Sequence, residues 1–192
     1  YTLTGTDAAS FSISSSGVIT FGSAPDYESK STYAVTVNVS DGTNTSTQAL
    51  TINVTNVNDI SPVISSSASF SAAENQTSVG TISASDAEGD SLTYTLTGTD
   101  AASFSISSSG VLTFGSAPDY ESKTSYAVTV NVSDGVNTST QALTIDVTNL
   151  NDNTPSITSA ASYSADENQT SVGTISASDA DGDSLTYTLT GT

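Results

Sequence analysis

The stretch Tyr126-Ala-Val-Thr-Val-Asn-Val132 decides the fold, because its large apolar side chains fall at every second position. In a β-strand, successive side chains point to opposite faces, so the tyrosine and the three valines share one face. Ala127, Thr129 and Asn131 share the other face. The stretch therefore predicts a strand with one face in the core and one face in solvent.

The same alternation recurs along the surrounding sequence, and no segment shows the apolar stripe of a helix. Valine, isoleucine and threonine also suit a pleated surface better than a helix. Further strands are predicted at Leu92–Leu96, Phe104–Ile106, Leu112–Phe114 and Leu143–Val147, and near Ile64–Ala72 and Val79–Ala84. About seven short strands predict an all-β fold of seven-stranded Greek-key sandwiches.

The sequence repeats itself at a spacing of 93 residues. Residues 1–59 match residues 94–152 with six substitutions, and residues 62–99 match residues 155–192 with six more. Such fidelity indicates one module copied in tandem. We predict one complete module at 59–151, flanked by partial modules at 1–58 and 152–192, and we expect the chain to be part of a longer protein.

Composition excludes several classes of function. Twenty acidic residues against two lysines give a net charge of −18, which repels nucleic acid and anionic membrane surfaces. The chain contains no cysteine and no histidine, so thiol nucleophiles, imidazole bases, disulfides and the usual zinc sites are excluded. No apolar run approaches the roughly 18 residues of a membrane-spanning helix, so membrane insertion is not expected.

Sixteen of the 20 acidic residues lie in or beside short motifs that recur in each copy. The exceptions are Asp7, Asp100, Asp146 and Asp166. In the middle copy the motifs are Glu74-Asn75, Asp86-Ala-Glu88-Gly-Asp90, Asp119-Tyr-Glu121, Asp134-Gly135 and Asn149-Leu-Asn151-Asp152-Asn153. An isolated Asn-Asp or Asp-Gly is usually a turn, but five motifs that occur in the order of a known family, and at a fixed spacing, indicate a binding function.

This motif series resembles that of cadherin repeats in type and in order, over the whole chain. The resemblance implies that Ca²⁺ binds where consecutive repeats meet. Carried over by residue, the first junction would use Asp26, Glu28, Asn58, Asp59, Asp86, Glu88 and Asp134, with backbone carbonyls at Val57 and Ile60. The second junction would use Glu74, Asp119, Glu121, Asn151, Asp152, Asp179 and Asp181, with backbone carbonyls at Leu150 and Asn153.

The sequence departs from the cadherin pattern in a few places. The linker motif begins with Asn56 or Asn149 where aspartate is usual, and the residue before the first glutamate is Ala73 or Asp166 where proline is usual. The central arginine of the Asp-Arg-Glu motif is Tyr27 or Tyr120, which leaves both flanking acids in place. The first linker ends in Ile60 where asparagine is usual, a change that is tolerated if this position donates only its carbonyl.

Calcium chemistry explains these residue types, because Ca²⁺ takes six to eight oxygen ligands at about 2.3–2.6 Å. Without the ion, facing carboxylates a few ångströms apart repel by about 1 kcal/mol per pair in water, and by more where they are partly desolvated. We therefore expect calcium to stiffen each junction. Asp90 and Asp183 remain open at this stage, either as further ligands or as turn acids.

Two other chemistries fit the sequence less well. The string Asp179-Ala-Asp-Gly-Asp183 resembles the start of an EF-hand loop, but its glycine comes two places early and position twelve is Thr190. A glycosidase built on paired carboxylates is disfavoured because the acids recur at the module ends in each copy, without Trp, His or a cationic partner. We predict that the chain is not an enzyme.

The sequence thus predicts a calcium-rigidified spacer in a large secreted or cell-surface adhesin, with a bacterial source favoured by the near-identical Ser/Thr-rich copies. The alternative is a recognition module for homophilic adhesion or glycans, with Tyr27 and Tyr120 as the candidate glycan contacts. Because residues 155–192 and residues 1 to about 58 together make one module, head-to-tail association into a filament is a further hypothesis.

Overall fold

The computed structural model describes residues 1–191, which form two compact units. Unit 1 comprises residues 1–61 and 86–91, and unit 2 comprises residues 62–85 and from 92 onward. Both units are built from β-strands, as the sequence predicts, and the described residues contain only two short 3-10 turns, Ala8–Ser10 and Ala101–Ser103. No helix within the described residues has the length and apolar character that crossing a membrane requires.

Unit 1 contains five strands: β1 (Thr2–Thr4), β2 (Phe11–Ile13), β3 (Ile19–Phe21), β4 (Thr32–Ser40) and β5 (Thr45–Asn53). Strands β1, β4 and β5 form an antiparallel sheet with β4 in the centre, and β2 pairs with β3. A tight turn joins β4 to β5, where Asp41 Oδ1 accepts hydrogen bonds from the N–H groups of Thr43 and Asn44 at 2.8 and 2.7 Å.

Unit 2 contains eleven strands. They are β6 (Val63–Ile64), β7 (Ser69–Ala73), β8 (Ser78–Thr81), β9 (Ala84–Ser85), β10 (Thr93–Thr97), β11 (Phe104–Ile106), β12 (Val111–Phe114), β13 (Ser125–Ser133), β14 (Thr138–Thr148), β15 (Ser156–Ile157) and β16 (Ala177–Ser178). Seven of them form the two sheets of a sandwich, in the orders β10-β13-β14-β7 and β11-β12-β8. Two-residue ladders, β6-β9 and β15-β16, add four elements that the sequence pattern did not separate.

The predicted alternation sets the core of unit 2. Val128, Val130 and Val132 of β13 are at most 3% exposed, and Leu143, Ile145 and Val147 of β14 at most 4%. Ile82, Leu112, Phe104 and Phe114 fill the space against them, with Tyr126 packed at the edge of the two phenylalanine rings. The strands predicted at Phe104–Ile106 and Leu112–Phe114 pair with each other as β11 and β12, with Phe104 opposite Phe114 and Ile106 opposite Leu112.

The turn between β11 and β12 requires glycine at position 110. Gly110 has a φ of +81°, and a Cβ there would lie 2.2 Å from the carbonyl oxygen of Ile82. The N–H of Ile82 donates a hydrogen bond to the Gly110 carbonyl at 2.8 Å, so the backbones approach closely in both directions. This contact ties the β11–β12 hairpin to the segment between β8 and β9, which carries the core residue Ile82.

Candidate metal centres

The first carboxylate cluster lies in unit 1 and consists of Glu28, Asp59 and Glu88. Each residue contributes one oxygen, and these oxygens lie within 4.8 Å of one another. Glu28 comes from the turn before β4, Asp59 from the segment after β5, and Glu88 from the 86–91 loop. Three separate parts of the sequence, all chosen by the motif series, therefore meet at one point.

Backbone amides fix Glu88 in the first cluster. Its Oε2 accepts hydrogen bonds from the N–H groups of Asp59 and Ile60 at 3.0 and 2.9 Å. Its Oε1 is buried and accepts no hydrogen bond within the described residues, and the same holds for Oδ2 of Asp86. A buried carboxylate oxygen without a partner is costly, so these two atoms have the environment of cation ligands.

The remaining predicted residues of the first junction differ in where they lie. Asp26 accepts hydrogen bonds from Ser29 and from the N–H of Glu28. The Asn58 amide donates to Asp90 Oδ2 at 2.9 Å. Val57 is 68% exposed. Asp134 belongs to unit 2, where its Oδ1 accepts hydrogen bonds from the N–H groups of Val136 and Asn137.

The second carboxylate cluster lies in unit 2 and consists of Glu74, Glu121, Asp152 and Asp181, again with oxygens within 4.8 Å of one another. Glu74 follows β7 and is 1% exposed. Its Oε1 accepts a hydrogen bond from Leu150 N–H at 2.6 Å, and its Oε2 accepts one from Tyr120 N–H at 2.9 Å. Glu74 therefore ties the Asp119-Tyr-Glu121 turn to the segment that follows β14.

Asparagine side chains organise the rest of the second cluster. Asn153 donates to both oxygens of Asp181, from its N–H at 2.9 Å and from Nδ2 at 3.1 Å, and also to Asp152 Oδ1. Asn151 donates to Asp183 Oδ2, and Asp179 Oδ1 accepts the N–H of Asp181 at 3.0 Å. Asp119, the remaining predicted acid, accepts hydrogen bonds from Ser122 Oγ and from Glu121 N–H.

The electrostatics of the clusters follow from carboxylates held near one another. Partial burial raises the pKa of Glu121, and hydrogen bonding with Asp119 and the charges of Glu74 and Asp181 raise it further. Partial burial likewise raises the pKa of Glu28, with contributions from Asp26 and Glu88. Each cluster thus contains a carboxyl group whose charged form is disfavoured, which a divalent cation would reverse.

Sequence reasoning missed three kinds of contact. Asp90 and Asp183, left open above, each accept a hydrogen bond from the amide of a linker asparagine, Asn58 and Asn151. Asn75 donates to Asp152 across 77 positions of sequence. Signals for the linker contacts were present, because Asp90 and Asp183 repeat with Asn58 and Asn151 at the 93-residue spacing.

The two lysines form a third kind of missed contact, away from the carboxylate clusters. Lys123 pairs with Asp100 Oδ1 at 2.5 Å and lies 4.4 Å from the centre of the Tyr126 ring. Asp100 Oδ2 accepts the N–H of Ala127 at 2.8 Å. Lys30 and Asp7 repeat the pairing in unit 1. The lysines therefore hold the turn before β4 or β13 and lie outside the predicted ligand sets.

Tyr120, a candidate glycan contact in the sequence, packs against the hydrophobic core of unit 2. Tyr27 is 40% exposed in unit 1. These two tyrosines therefore do not form the pair of exposed aromatic rings expected of a glycan platform. The two carboxylate clusters are rich in oxygen, which is the character of a cation site.

Comparison with known proteins finds related sequences. The sequence pattern of the cadherin domain matches residues 67–148. Protocadherin Fat 4 of Mus musculus is 32% identical over 198 residues, which is 93% of this chain and 4% of that protein. The chain therefore spans a small part of that relative.

Solved structures share the fold. Mouse Protocadherin-24 EC1-3 superposes with a TM-score of 0.77 at 23% identity, covering 94% of this chain and 66% of that one. Protocadherin gammaB7 EC3-6, described as a cis-dimer structure, gives 0.75 at 25% identity, covering 93% and 50%. Cadherin repeats are extracellular β-sandwich modules of adhesion proteins, a class that is not enzymatic. Residues 67–148 of this chain are therefore identified as a cadherin domain, and cadherin domains are extracellular.

Proposed function

We propose that the chain is a calcium-rigidified spacer within a large secreted or surface-anchored adhesin, with Ca²⁺ held by the two carboxylate clusters. The observation that carries this proposal is the convergence of four carboxylates from separate segments, Glu74, Glu121, Asp152 and Asp181, within 4.8 Å. Oxygen-only donors in this number suit a hard cation such as Ca²⁺.

The orphaned atoms of the first cluster support the same proposal. Glu88 Oε1 and Asp86 Oδ2 are buried without a hydrogen-bond partner, while the opposite oxygens of both residues accept backbone amides. The amides orient each carboxylate so that one oxygen remains for a ligand. We assign Glu28, Asp59, Glu88 and Asp86 as the carboxylate ligands at the first site, with Asp26 and Asn58 beside them.

At each site the ligands come from one copy, from the linker and from the next copy along the sequence, as Glu28, Asp59 and Glu88 illustrate. An ion that binds all three parts restrains the linker relative to both copies. Sites of extracellular modules with dissociation constants of about 10⁻⁴ to 10⁻³ M are filled at extracellular calcium concentrations. Calcium thus supplies charge neutralisation, and the chain supplies a preorganised oxygen cage.

The proposal is tested by small-angle scattering and thermal unfolding of the full chain in calcium and in chelator. Calcium is expected to raise the unfolding temperature and to narrow the distribution of overall dimensions. The matched control is the triple variant Glu121→Gln, Asp152→Asn, Asp181→Asn, whose response to calcium should shrink. Identical unfolding and scattering of the natural chain in calcium and chelator would exclude the proposed role.

A further inference from the structure

The only two basic residues of the chain take equivalent places beside the two carboxylate clusters. Lys123 comes two residues after Glu121 of the second cluster, and Lys30 comes two residues after Glu28 of the first. A positive charge near a cation site lowers the affinity of that site by simple repulsion. The proposed calcium function therefore gives these lysines no role, and their position requires a separate explanation.

The side chain of Lys123 joins the turn that carries Glu121 to the framework of the sandwich. Its ammonium group pairs with Asp100 Oδ1 at 2.5 Å and lies 4.4 Å from the centre of the Tyr126 ring. Asp100 is itself fixed to β13, because its Oδ2 accepts the N–H of Ala127 at 2.8 Å and its own N–H donates to the Ala127 carbonyl at 3.2 Å. An exposed ion pair stabilises a protein little by itself, but here both contacts of the ammonium group are anchored in the core sheet.

Residues 119–123 form a hydrogen-bonded turn, so a restraint at its end acts on the whole turn. The N–H groups of Lys123 and Ser122 donate to the carbonyl of Asp119 at 2.9 and 3.2 Å. Asp119 Oδ2 also accepts the hydroxyl of Ser122 at 2.6 Å. Because these bonds link the turn internally, the anchoring of Lys123 also restrains the backbone from which Glu121 extends.

Repulsion acts on this turn when no cation is bound. The four carboxylates of the second cluster bring oxygens within 4.8 Å of one another, and the charges of Glu74 and Asp181 disfavour the charged form of Glu121. The N–H of Tyr120 ties the turn to Glu74 Oε2, but that carboxylate is one of the repelling groups. Lys123 supplies a restraint on the turn that lies outside the repelling groups.

We propose that the pair formed by Lys123 and Asp100 is a latch, which holds the Asp119–Glu121 turn in position for a cation before the cation binds. The identity of the cation as Ca²⁺ rests on the proposed function. Lys123 acts as a positioning residue, because it pairs with Asp100 and not with a carboxylate of the cluster. Asp100 also neutralises the charge of the lysine, so the pair as a whole does not oppose the cation.

Unit 1 contains the same latch. Lys30 pairs with Asp7 Oδ1, and Asp7 Oδ2 accepts the N–H of Ala34 at 2.7 Å. The N–H of Lys30 donates to the carbonyl of Asp26 at 2.9 Å, which closes the turn that carries Glu28. The two latches belong to different clusters, so each serves as the internal control for the other.

Amide hydrogen exchange of the full chain in chelator tests the latch without any metal. Lys123→Met removes the charge but keeps a long apolar side chain beside Tyr126. Relative to the amides of β13, the N–H groups of residues 122 and 123 are expected to exchange at least about fivefold faster. The turn at 26–30 should be unchanged, and Lys30→Met should give the mirror result. Equal acceleration in the turn and in β13 would show a general loss of stability and would overturn the proposal, as would no acceleration.

Calcium titration followed through the NMR amide signals of Glu121 and Glu28 tests the consequence of the latch at each cluster. Removing a positive charge near a cation site should by repulsion alone tighten binding, whereas loss of the latch should weaken it, so the sign of the change separates the two effects. For Lys123→Met we expect the midpoint at Glu121 to rise about tenfold and the midpoint at Glu28 to stay unchanged. Lys123→Arg keeps the charge and can pair with a carboxylate, so it should restore the natural midpoint.

The outcomes separate this proposal from the calcium function on which it rests. Calcium binding at Glu121 that is unchanged or tighter in Lys123→Met would overturn the latch and leave the calcium function intact. A natural chain in which neither amide responds to calcium would exclude the calcium function, and with it the role of the latch in calcium binding.

Discussion

The two carboxylate clusters are built from nearly the same sequence, yet they differ in how their acids are held. In the first cluster, Glu88 reaches the N–H groups of Asp59 and Ile60 through Oε2 alone and leaves Oε1 unpartnered. In the second, the shorter Asp181 has both oxygens bonded to Asn153. The linker residue Ile60 thus occurs with the longer acid Glu88, and the linker residue Asn153 occurs with the shorter acid Asp181.

The second difference is Glu74. This residue adds a buried carboxylate to the second cluster. The comparison teaches that a repeat's acidic motif is not sufficient to define its site. The reach of each acid and the residues that donate to it decide how many oxygens are left for a cation.

Removing Glu74 should produce the largest effect. Glu74→Ala leaves the N–H groups of Tyr120 and Leu150 without their acceptor, each at a cost of about 1–3 kcal/mol, partly offset by lost repulsion from Glu121. We expect unit 2 to lose about 2–4 kcal/mol in urea unfolding of the metal-free chain. The matched variant Glu167→Ala, at an exposed position, should change stability by less than about 0.5 kcal/mol at dilute concentration. Equal losses would show that Glu74 has no special structural role.

Exchanging the linker residue should have a smaller effect. Asn153→Ile removes two side-chain hydrogen bonds, to Asp181 Oδ1 and Asp152 Oδ1, but keeps the backbone donor. The expected loss is about 1–2 kcal/mol in the metal-free chain. Adding Asp181→Glu recreates the pair found at Ile60 and Glu88, and it should recover part of that loss. In a double-mutant cycle of Asn153→Ile and Asp181→Glu, the two changes should stabilise each other. An absence of such coupling in the free energy of unfolding would contradict the idea that a longer acid compensates for the lost asparagine hydrogen bonds.

Metal-free stability should also respond to pH. The raised pKa of Glu121 means that the folded state binds a proton more readily than the unfolded one, so its contribution to stability is present at low pH and is lost as pH rises through the folded pKa. Above the ordinary glutamate pKa, mild acidification in chelator should therefore stabilise unit 2. The expected readout is a higher unfolding midpoint that Glu121→Gln abolishes.

At lower pH the direction reverses. Hydrogen bonds from Lys123 and from the N–H of Ala127 lower the pKa of Asp100, so the stability it contributes is present above the ordinary aspartate pKa and is lost as pH falls through the folded value. If the metal-free chain lost stability steadily as the pH fell from neutral, this result would contradict the raised pKa of Glu121 and the close approach of carboxylates around it.

The smallest effect is expected at Asp90. Its carboxylate accepts a hydrogen bond from the Asn58 amide on an exposed surface, so Asp90→Ala should cost less than about 1 kcal/mol in unit 1. Asp86→Ala provides the comparison, because Asp86 Oδ1 accepts the N–H groups of both Glu88 and Asp90. Chemical unfolding followed by tyrosine fluorescence measures both. A larger loss from Asp90→Ala than from Asp86→Ala would reverse this order.

Much of the fold could be predicted because its cause is local. Alternation within Tyr126–Val132 and Leu143–Val147 fixes which side chains face the core, and the structure confirms both strands. The two-residue ladders were not predicted. Strands β6 and β9 depend on pairing between Val63 and Ser85, and two residues are too few to show an alternating pattern in the sequence.

The site was predictable in part. The resemblance to cadherins selected the acids that meet at both clusters, and the ligand sets themselves remain predictions. The sequence could not reveal that Asn75 reaches Asp152 or that Asp183 accepts Asn151, because these contacts depend on side-chain reach between segments far apart in sequence. Nor could it show that Lys123 is held by Asp100 and Tyr126.

Calcium titration by isothermal calorimetry of the full chain, in dilute solution, tests the central claim most directly. The natural chain should bind Ca²⁺ with measurable heat and should bind Mg²⁺ far more weakly, because the clusters offer more oxygens than Mg²⁺ accepts from protein. The variant Glu121→Gln, Asp152→Asn, Asp181→Asn should lose the sites of the second cluster and keep those of the first. A natural chain that shows only heats of dilution at millimolar calcium, or a variant that binds as the natural chain does, would contradict the account.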